Sequence, residues 1–254
     1  MKTVLITGAS SGIGEALAYV YAEHQYNLIL VARRIDNLEA IKKEILEKYK
    51  IKVVNVQLDL SKADSSNELY KFVKAQELTV DVLINNAGFG LQESFTESDI
   101  VREEDMINLN ILTLTKLTKL FISDMIDLES GHIINIASTA AYQPLPYFAI
   151  YGATKSYVLS FSEAIAYELR KSAIKLTVIC PGATQSEFAN TAEVSDISIF
   201  NRAPTSMQLA EYTFESMQKN RTVAVYGLMN RFLVFSQRFL PSRLIVAIAA
   251  RFFR

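Results

Sequence analysis

Short apolar runs alternate along this chain with longer segments in which apolar residues recur every third or fourth position. The short runs predict β-strands at 4–7, 28–32, 53–58, 82–85, 132–137, 176–180 and 222–225. The longer segments predict amphipathic helices at 13–24, 36–49, 66–76, 111–128, 149–171 and 205–219. Strands that are apolar on both faces and separated by helices indicate an α/β protein with a covered parallel sheet. Right-handed crossovers then predict a doubly wound sheet with helices on both faces.

The composition favours one domain over residues 1–254, because no internal repeat, low-complexity tract or flexible linker marks a boundary. The net charge of −1 argues against nucleic acid as the main partner, since phosphate binding needs a basic face. The only cysteine, Cys180, excludes an intramolecular disulfide and fits a reducing cytoplasm. We see neither a signal peptide nor an apolar stretch long enough to span a bilayer, so we expect a cytoplasmic protein. His24 and His132 have no cysteine or carboxylate cluster nearby, so we expect no metal site.

A glycine-rich turn at 7–14, TGASSGIG, joins the first strand to the first helix. Glycines let the backbone turn tightly and let a pyrophosphate approach the free N–H groups at the helix start. The spacing is G-x-x-x-G-x-G rather than the commoner G-x-G-x-x-G, so a tight turn without a ligand is the alternative. The hydroxyls of Ser10 and Ser11 can add donors for the same anion.

Polar residues follow the next strands at the end where a dinucleotide would lie. Arg33 and Arg34 end the second strand, where an arginine accommodates the 2′-phosphate of NADP, so we favour NADP(H) over NAD. Two solvated loop arginines are the alternative, and Asp36 is expected to cap the following helix. Asp59, before Leu60, could meet the adenine amino group or could be only a turn residue. The segment 85–88, NNAG, closes the fourth strand with small residues that let the backbone pass close to a cofactor.

Four residues form a candidate catalytic group. Tyr151 and Lys155 are one helical turn apart, so a helix places both side chains on one face. A nearby ammonium and an oxidised nicotinamide ring would lower the pKa of the phenol, which could then exchange a proton with a carbonyl oxygen. Ser138 follows the fifth strand and could hold the substrate oxygen. Asn110 is expected to open the helix before that strand, where its amide could anchor a proton-carrying water.

TGASSGIG at 7–14, NNAG at 85–88, Asn110, Ser138, YGATK at 151–155 and PG at 181–182 together resemble the short-chain dehydrogenase/reductase family, of the roughly 250-residue type. The resemblance implies a Rossmann-like sheet of seven strands and the catalytic roles described above. It implies that the nicotinamide lies beside Pro181 and Gly182. Ser186 stands where the family has a threonine that contacts the nicotinamide amide. The paired arginines are similar to those of NADP-preferring members. The expected cofactor-binding residues are Gly8, Ser10, Ser11, Gly12, Ile13, Gly14, Arg33, Arg34, Asp59, Leu60, Asn86, Ala87, Gly88, Tyr151, Lys155, Pro181, Gly182 and Ser186.

We therefore predict an NADPH-dependent carbonyl reductase or alcohol dehydrogenase that acts on a small to medium, apolar substrate. A dinucleotide-binding sensor without chemistry is the alternative from another class, and a 3-oxoacyl-thioester reductase is the alternative among enzymes. The polar segment 184–203 interrupts the alternation of strands and helices, as a substrate lid or a variable surface loop would. A homodimer or homotetramer is expected by analogy with related folds.

The C-terminal extension, 228–254, is basic and amphipathic, and Pro241 divides two expected short helices. From residue 216 onward the chain has seven basic residues and no acidic ones. The rest holds 19 basic and 27 acidic residues, a net charge of −8. Three roles are open for the extension: packing within the chain or between subunits, contact with an anionic membrane surface, or a roof over the substrate pocket.

Overall fold

The computed structural model describes residues 1–194, 200 and 203–252. Seven parallel strands form one sheet in the order β3-β2-β1-β4-β5-β6-β7, so the predicted doubly wound parallel sheet is confirmed. The strands are β1 Thr3–Thr7, β2 Asn27–Ala32, β3 Val53–Gln57, β4 Val82–Asn85, β5 Gly131–Ile136, β6 Ile174–Cys180 and β7 Val223–Val225. Each predicted strand lies within two residues of an observed one.

Helices cover both faces of the sheet. They are α1 Gly12–Glu23, α2 Ile35–Lys48, α3 Ser65–Ala75, α4 Ile100–Ile107, α5 Leu114–Asp127, α6 Ala149–Glu168, α7 Phe188–Thr191, α8 Ser206–Gln218, α9 Leu228–Ser236 and α10 Ser242–Phe252. The predicted helix at 111–128 in fact starts much earlier, because α4 continues through a π-helical turn, Asn108–Thr113, directly into α5. Asn110 therefore lies in the middle of a long helix, and the expectation that it opens one was wrong. Among the described residues, no helix is both long and apolar enough to cross a bilayer.

Alternate residues of each central strand point to opposite sides of the sheet, and each side has its own core. Val4 and Ile6 of β1 pack in one cluster with α1, α2 and α8, whereas Leu5 packs in the other with α3 and α5. Tyr21 and Phe121 are the largest fully buried side chains of the two clusters. Burial on both faces explains why the strands are uninterrupted apolar runs in the sequence.

The sheet changes winding direction between β1 and β4, which are neighbours although β2 and β3 intervene in the chain. At such a point the loops after the two strands separate and leave a crevice at their carboxyl ends. Hydrogen bonds fix the two loops there. Thr7 Oγ1 accepts from the backbone N–H groups of Asn86 and Ala87, each at 3.0 Å. The Asn86 amide donates to the Thr7 carbonyl at 2.9 Å.

Part of the expected lid, at 195–199 and 201–202, lies outside the described residues, as do residues 253–254 of the C-terminal extension. The two expected C-terminal helices are present as α9 and α10, with Pro241 between them.

Candidate active site

The carboxyl ends of the strands open into a cavity of about 860 Å³, within the usual size range of ligand sites. Almost all the cofactor and catalytic residues predicted from the sequence line it. These are Gly8, Ser10, Ser11, Gly12, Ile13, Arg33, Arg34, Asp59, Leu60, Asn86, Ala87, Gly88, Ser138, Tyr151, Lys155, Pro181, Gly182 and Ser186. Gly14 and Asn110 are not part of the lining and lie behind it.

The glycine turn leaves room for a ligand next to the start of α1. Gly8 and Gly12 have positive φ angles, +67° and +58°, which glycine adopts at little cost. A Cβ atom on Gly8 would lie 2.9 Å from the Ala87 Cα, so the turn also packs tightly on the loop after β4. Ser11 is the N-cap residue of α1, but its side chain makes no capping hydrogen bond. The first backbone N–H groups of α1 can therefore bind an anion, as a pyrophosphate requires.

Gly14 serves the turn rather than the cavity. A Cβ atom at this position would lie 2.1 Å from the Gly8 carbonyl oxygen. A side chain there would force the turn and the helix apart. We therefore expect Gly14 to act through packing, without touching a cofactor.

The two arginines after β2 have different surroundings. Arg34 Nη2 donates to Ser11 Oγ at 2.6 Å and to Glu187 Oε2 at 2.8 Å. Arg33 lines the cavity and has no ion pair within the part of the chain that the structure describes. Arg34 is also the N-cap residue of α2, so Asp36 lies in the first turn and the expectation that it caps this helix was wrong. Within the described residues, one guanidinium at this end of the cavity thus forms an ion pair and the other does not.

Asp59 marks the same end, beyond β3. Its Oδ1 accepts from the backbone N–H of Ser61 at 3.1 Å and from Ser61 Oγ at 2.9 Å. Burial alone would raise the pKa of Asp59, but these hydrogen bonds and the charges of Arg33 and Lys62 outweigh it and hold the pKa below its ordinary value. The carboxylate stays ionised and can accept hydrogen bonds from a ligand.

Ser138, Tyr151 and Lys155 meet at the opposite end of the cavity. Ser138 follows β5, and its Oγ accepts from the Ala140 N–H at 3.1 Å. Tyr151 and Lys155 lie one turn apart on α6, as predicted, and Lys155 Nζ is 5.8 Å from the centre of the Tyr151 ring. The ammonium donates to the carbonyl of Ile136 at 2.9 Å, which holds the lysine against the end of β5.

Burial controls the protonation of this group. It raises the pKa of Tyr151 to about 12, although a hydrogen bond from Ser138 acts in the opposite direction. Burial also lowers the pKa of Lys155 to about 8. The expected lowering of the tyrosine pKa by the lysine together with an oxidised nicotinamide stays a prediction. In the protein alone burial dominates, and the lysine ammonium is directed at the Ile136 carbonyl. At neutral pH the phenol keeps its proton and can donate it.

Asn110 is buried in the π-helical turn and holds the loop after β4. Its Nδ2 donates to the Phe89 carbonyl at 2.9 Å and to Thr154 Oγ1 at 3.1 Å. Its Oδ1 accepts from the Phe89 N–H at 3.2 Å. Both ends of the amide thus hold neighbouring chain segments. A Cβ atom on Gly88 would lie 2.8 Å from this Oδ1 and 3.5 Å from Lys155 Nζ, so the asparagine and the lysine share one small space.

Apolar side chains form the wall beside Tyr151. Phe148 lines the cavity, and its ring centre is 5.9 Å from that of Tyr151. Phe188 also lines the cavity, and its ring centre is 5.3 Å from the same tyrosine ring. Gly90 makes this packing possible, because a Cβ atom there would lie 2.9 Å from Phe188 Cζ and 3.0 Å from Tyr151 Cδ2. The only sequence signal for Gly90 was its place two residues after Gly88.

The C-terminal extension contributes to the cavity as well. Asn230 and Leu233 of α9 line it, which no local pattern indicated. The Asn230 amide covers Gly182, where a Cβ atom would lie only 2.6 Å from Nδ2. The extension therefore supplies one wall of the pocket. This agrees with one of the three roles considered for it, a roof over the substrate pocket.

Comparison with known proteins identifies the class. Residues 2–196 match the family model described as short chain dehydrogenase. The chain therefore belongs to the short-chain dehydrogenase/reductase family, and the predicted family and oxidoreductase class are confirmed.

Three relatives illustrate the likeness. An NADP-dependent 3-hydroxy acid dehydrogenase from Salmonella typhi is 36% identical over 180 residues, which cover 70% of this chain and 71% of that protein. A short-chain dehydrogenase from Sphingobium yanoikuyae, solved in complex with NADPH, is 28% identical with a TM-score of 0.85 and covers 94% of this chain and 93% of its own. A bulky-bulky ketone specific alcohol dehydrogenase from Comamonas testosteroni is 27% identical with a TM-score of 0.82, covering 94% and 92%.

Proposed function

We propose that the protein is an NADP(H)-dependent dehydrogenase that interconverts a carbonyl and a hydroxyl group on a small to medium, apolar substrate. The observation that carries the proposal is the placement of Ser138, Tyr151 and Lys155 at one end of a cavity whose other end carries Arg33 and Arg34. One end can exchange a proton with a substrate oxygen, and the other suits an additional phosphate.

The residues present fit a bound NADP(H). The open N–H groups at the start of α1, with Ser10 and Ser11, would hold the pyrophosphate. Arg33 and Arg34 would hold the 2′-phosphate, and Asp59 would accept from the adenine amino group. The cofactors named for the Salmonella and Sphingobium relatives support this assignment. When bound, the nicotinamide would supply or accept the hydride.

The protein's own residues would manage the proton. Tyr151 would donate its phenolic proton to the carbonyl oxygen during reduction, because burial keeps the phenol protonated at neutral pH. Ser138 would donate a hydrogen bond to the same oxygen and stabilise its developing charge. Lys155 would supply positive charge beside the phenol after the proton has left. Asn110 would act as a positioning residue, because its amide holds the backbone of Phe89 in the loop that follows β4.

The pocket walls favour a substrate that is apolar around the reacting carbon. Leu145, Phe148 and Phe188 line the space around Tyr151. Arg102 also lines the cavity, and it forms an exposed ion pair with Glu193 at 2.8 Å that a substrate carboxylate could displace at a cost of about 0.2 to 1 kcal/mol. The relative from Comamonas testosteroni, described as a bulky-bulky ketone specific alcohol dehydrogenase, supports a ketone as the carbonyl form of the substrate. A 3-oxoacyl-thioester substrate stays an untested alternative.

Replacing Tyr151 by phenylalanine tests the proposal, because the change removes only the phenolic oxygen. We expect NADPH binding to be nearly unchanged and turnover of an aldehyde and ketone panel to fall by about 10²- to 10⁴-fold, the usual contribution of a positioned general acid. Tyr157→Phe on the same helix is the matched control, since that hydroxyl lies away from the cavity and its hydrogen bond is to Thr115. Preserved turnover in Tyr151→Phe would refute the assigned role. Tight NADPH binding without turnover in the unmodified protein would favour the non-catalytic sensor.

A homo-oligomer and a cytoplasmic location remain predictions. By the same analogy with related folds, the subunits would pair through α5 and α6. Exposed apolar residues lie in and near these helices, among them Leu112 and Tyr157. Such residues would become buried in a dimer built on this face.

A further inference from the structure

The C-terminal helices carry a large number of exposed apolar side chains. We call the following residues the C-terminal apolar surface: Leu228, Met229, Phe232, Leu233, Phe235, Phe239, Leu240, Leu244 and Ile248. Leu228 is 82% exposed and Phe239 is 73% exposed, so packing within the chain does not account for them. Along α9 the spacing of Leu228, Phe232 and Phe235 follows one helix face, and Phe239 continues it with its ring 5.3 Å from that of Phe235. Such a concentration marks an interaction surface.

Every charged side chain of the segment that carries this surface is basic. Arg231, Arg238, Arg243 and Arg251 are exposed, and none has an acidic partner within the described residues. Residues 216–254 contain no acidic side chain, whereas the rest of the chain has a net charge of −8. On α10, Arg243 and Arg251 flank Leu244 and Ile248, so basic and apolar residues form adjacent stripes of one helix.

The two helices are firmly attached to the body of the protein. Ala249 of α10 is buried in a cluster with Leu145 and Phe148, which line the cavity. The Gln237 amide donates to the side chain of Gln143, which also lines the cavity. Leu233 belongs to the apolar surface and also lines the cavity. The surface is therefore presented from a fixed position beside the pocket.

We propose that the C-terminal apolar surface docks on an anionic lipid bilayer, with its phenylalanines and leucines in the interface and its arginines on the lipid headgroups. Apolar burial and attraction to anionic lipid reinforce each other in this arrangement, which is how basic amphipathic helices bind membranes. A second copy of the chain fits the same surface poorly. A two-fold contact of this surface with itself would place arginines against arginines, and residues 216–254 supply no acidic side chain to pair them.

Sedimentation of the full-length protein with vesicles tests the proposal without using enzyme activity. We expect binding to vesicles of phosphatidylcholine and phosphatidylserine, little binding to pure phosphatidylcholine, and weaker binding as salt rises. Arg238→Glu combined with Arg243→Glu should weaken binding by about 25-fold or more, since each basic residue near an anionic surface contributes about a fivefold factor. The matched control is Lys43→Glu with Lys48→Glu, which makes the same charge change on the exposed face of α2.

The apolar contribution is tested separately. Phe232→Glu with Phe239→Glu should abolish vesicle binding, whereas Phe95→Glu should not, although that phenylalanine is similarly exposed at 66%. Unchanged melting temperatures and NADPH binding would show that these variants are folded. Failure of the unmodified protein to bind anionic vesicles would overturn the proposal, as would equal binding to neutral ones. Sedimentation velocity that shows a dimer dissolved by the two phenylalanine changes would overturn it too and assign the surface to a second copy.

Discussion

The ion pair between Arg34 and Glu187 offers a direct test of how the protein distinguishes NADPH from NADH. Glu187 lies just before α7, and its carboxylate contacts the guanidinium at 2.8 Å. That hydrogen bond is the main cause of a pKa below the ordinary value, so the carboxylate is ionised at neutral pH. A 2′-phosphate bound by Arg34 would have to compete with it. Glu187→Gln removes the charge but keeps the size and the ability to accept from Arg34.

The size of the effect follows from the exposure of the pair. The two side chains are 48% and 53% exposed, so the ion pair contributes about 0.2 to 1 kcal/mol after solvent screening. If the ion pair between Arg34 and Glu187 is lost when the phosphate binds, the Glu187→Gln variant should bind NADPH about 1.4- to 5-fold more tightly. NADH lacks the 2′-phosphate and should gain less. The ratio of the two dissociation constants should therefore shift toward NADPH.

Titrating the protein with each cofactor, and following the fluorescence of the cofactor, gives the two dissociation constants and hence their ratio. Glu215→Gln is the matched control, because Glu215 forms an exposed ion pair with Lys219, also at 2.8 Å, on α8 away from the cavity. An unchanged ratio in Glu187→Gln would show that Arg34 does not contact the 2′-phosphate. Weaker NADPH binding would show that the carboxylate positions the arginine instead of competing for it.

Three further changes test the site and the core. Replacing Arg33 and Arg34 together by alanine should weaken NADPH binding far more than NADH binding, and an equal loss would contradict the cofactor assignment. Alcohol oxidation needs the phenolate of Tyr151. Its initial rate should therefore rise about tenfold per pH unit between about pH 6 and 8, while the rate of carbonyl reduction stays nearly constant. An oxidation rate that falls as pH rises would exclude Tyr151 as the base. Phe121→Ala should lower the free energy of unfolding by about 3–5 kcal/mol in urea titrations, because the ring is buried between the sheet and α3. Phe95→Ala, at an exposed position, should change it by less than about 0.5 kcal/mol.

The strands could be predicted from the sequence because burial on both faces leaves an apolar run with clear ends. The largest difference between a predicted and an observed strand, at β6, has a local cause. β6 begins two residues before its predicted start, since Lys175 interrupts the apolar pattern. Its ammonium leaves the strand and donates to the Ser172 carbonyl at 3.2 Å, so the strand tolerates it.

The helix α4 was not predicted, and its apolar residues do not mark the face that is buried. Ile100 and Val101 are exposed at its start, while Glu103 and Met106 are buried, which reverses the usual relation between polarity and burial. Its clearest signal was Asp99, whose side chain accepts from the Val101 N–H at 2.9 Å and caps the helix. Without α4, the sequence could not show that Asn110 lies within a continuous helix.

The catalytic residues could be predicted from the sequence, whereas most residues of the cavity wall could not. The difference has a physical reason. A tyrosine and a lysine one turn apart need only a helix to meet, so their placement is encoded locally. The contact between Gly182 and Asn230 depends on how β7 turns the chain back over the cavity, and neither residue type indicates the other. Gly182 was read as a cofactor residue, yet the space it leaves is also occupied by the Asn230 amide, which donates to the Tyr226 carbonyl at 2.8 Å. Gly182 thus belongs to the Pro181-Gly182 motif and also makes room for a residue of α9. Only the motif can be recognised in the sequence.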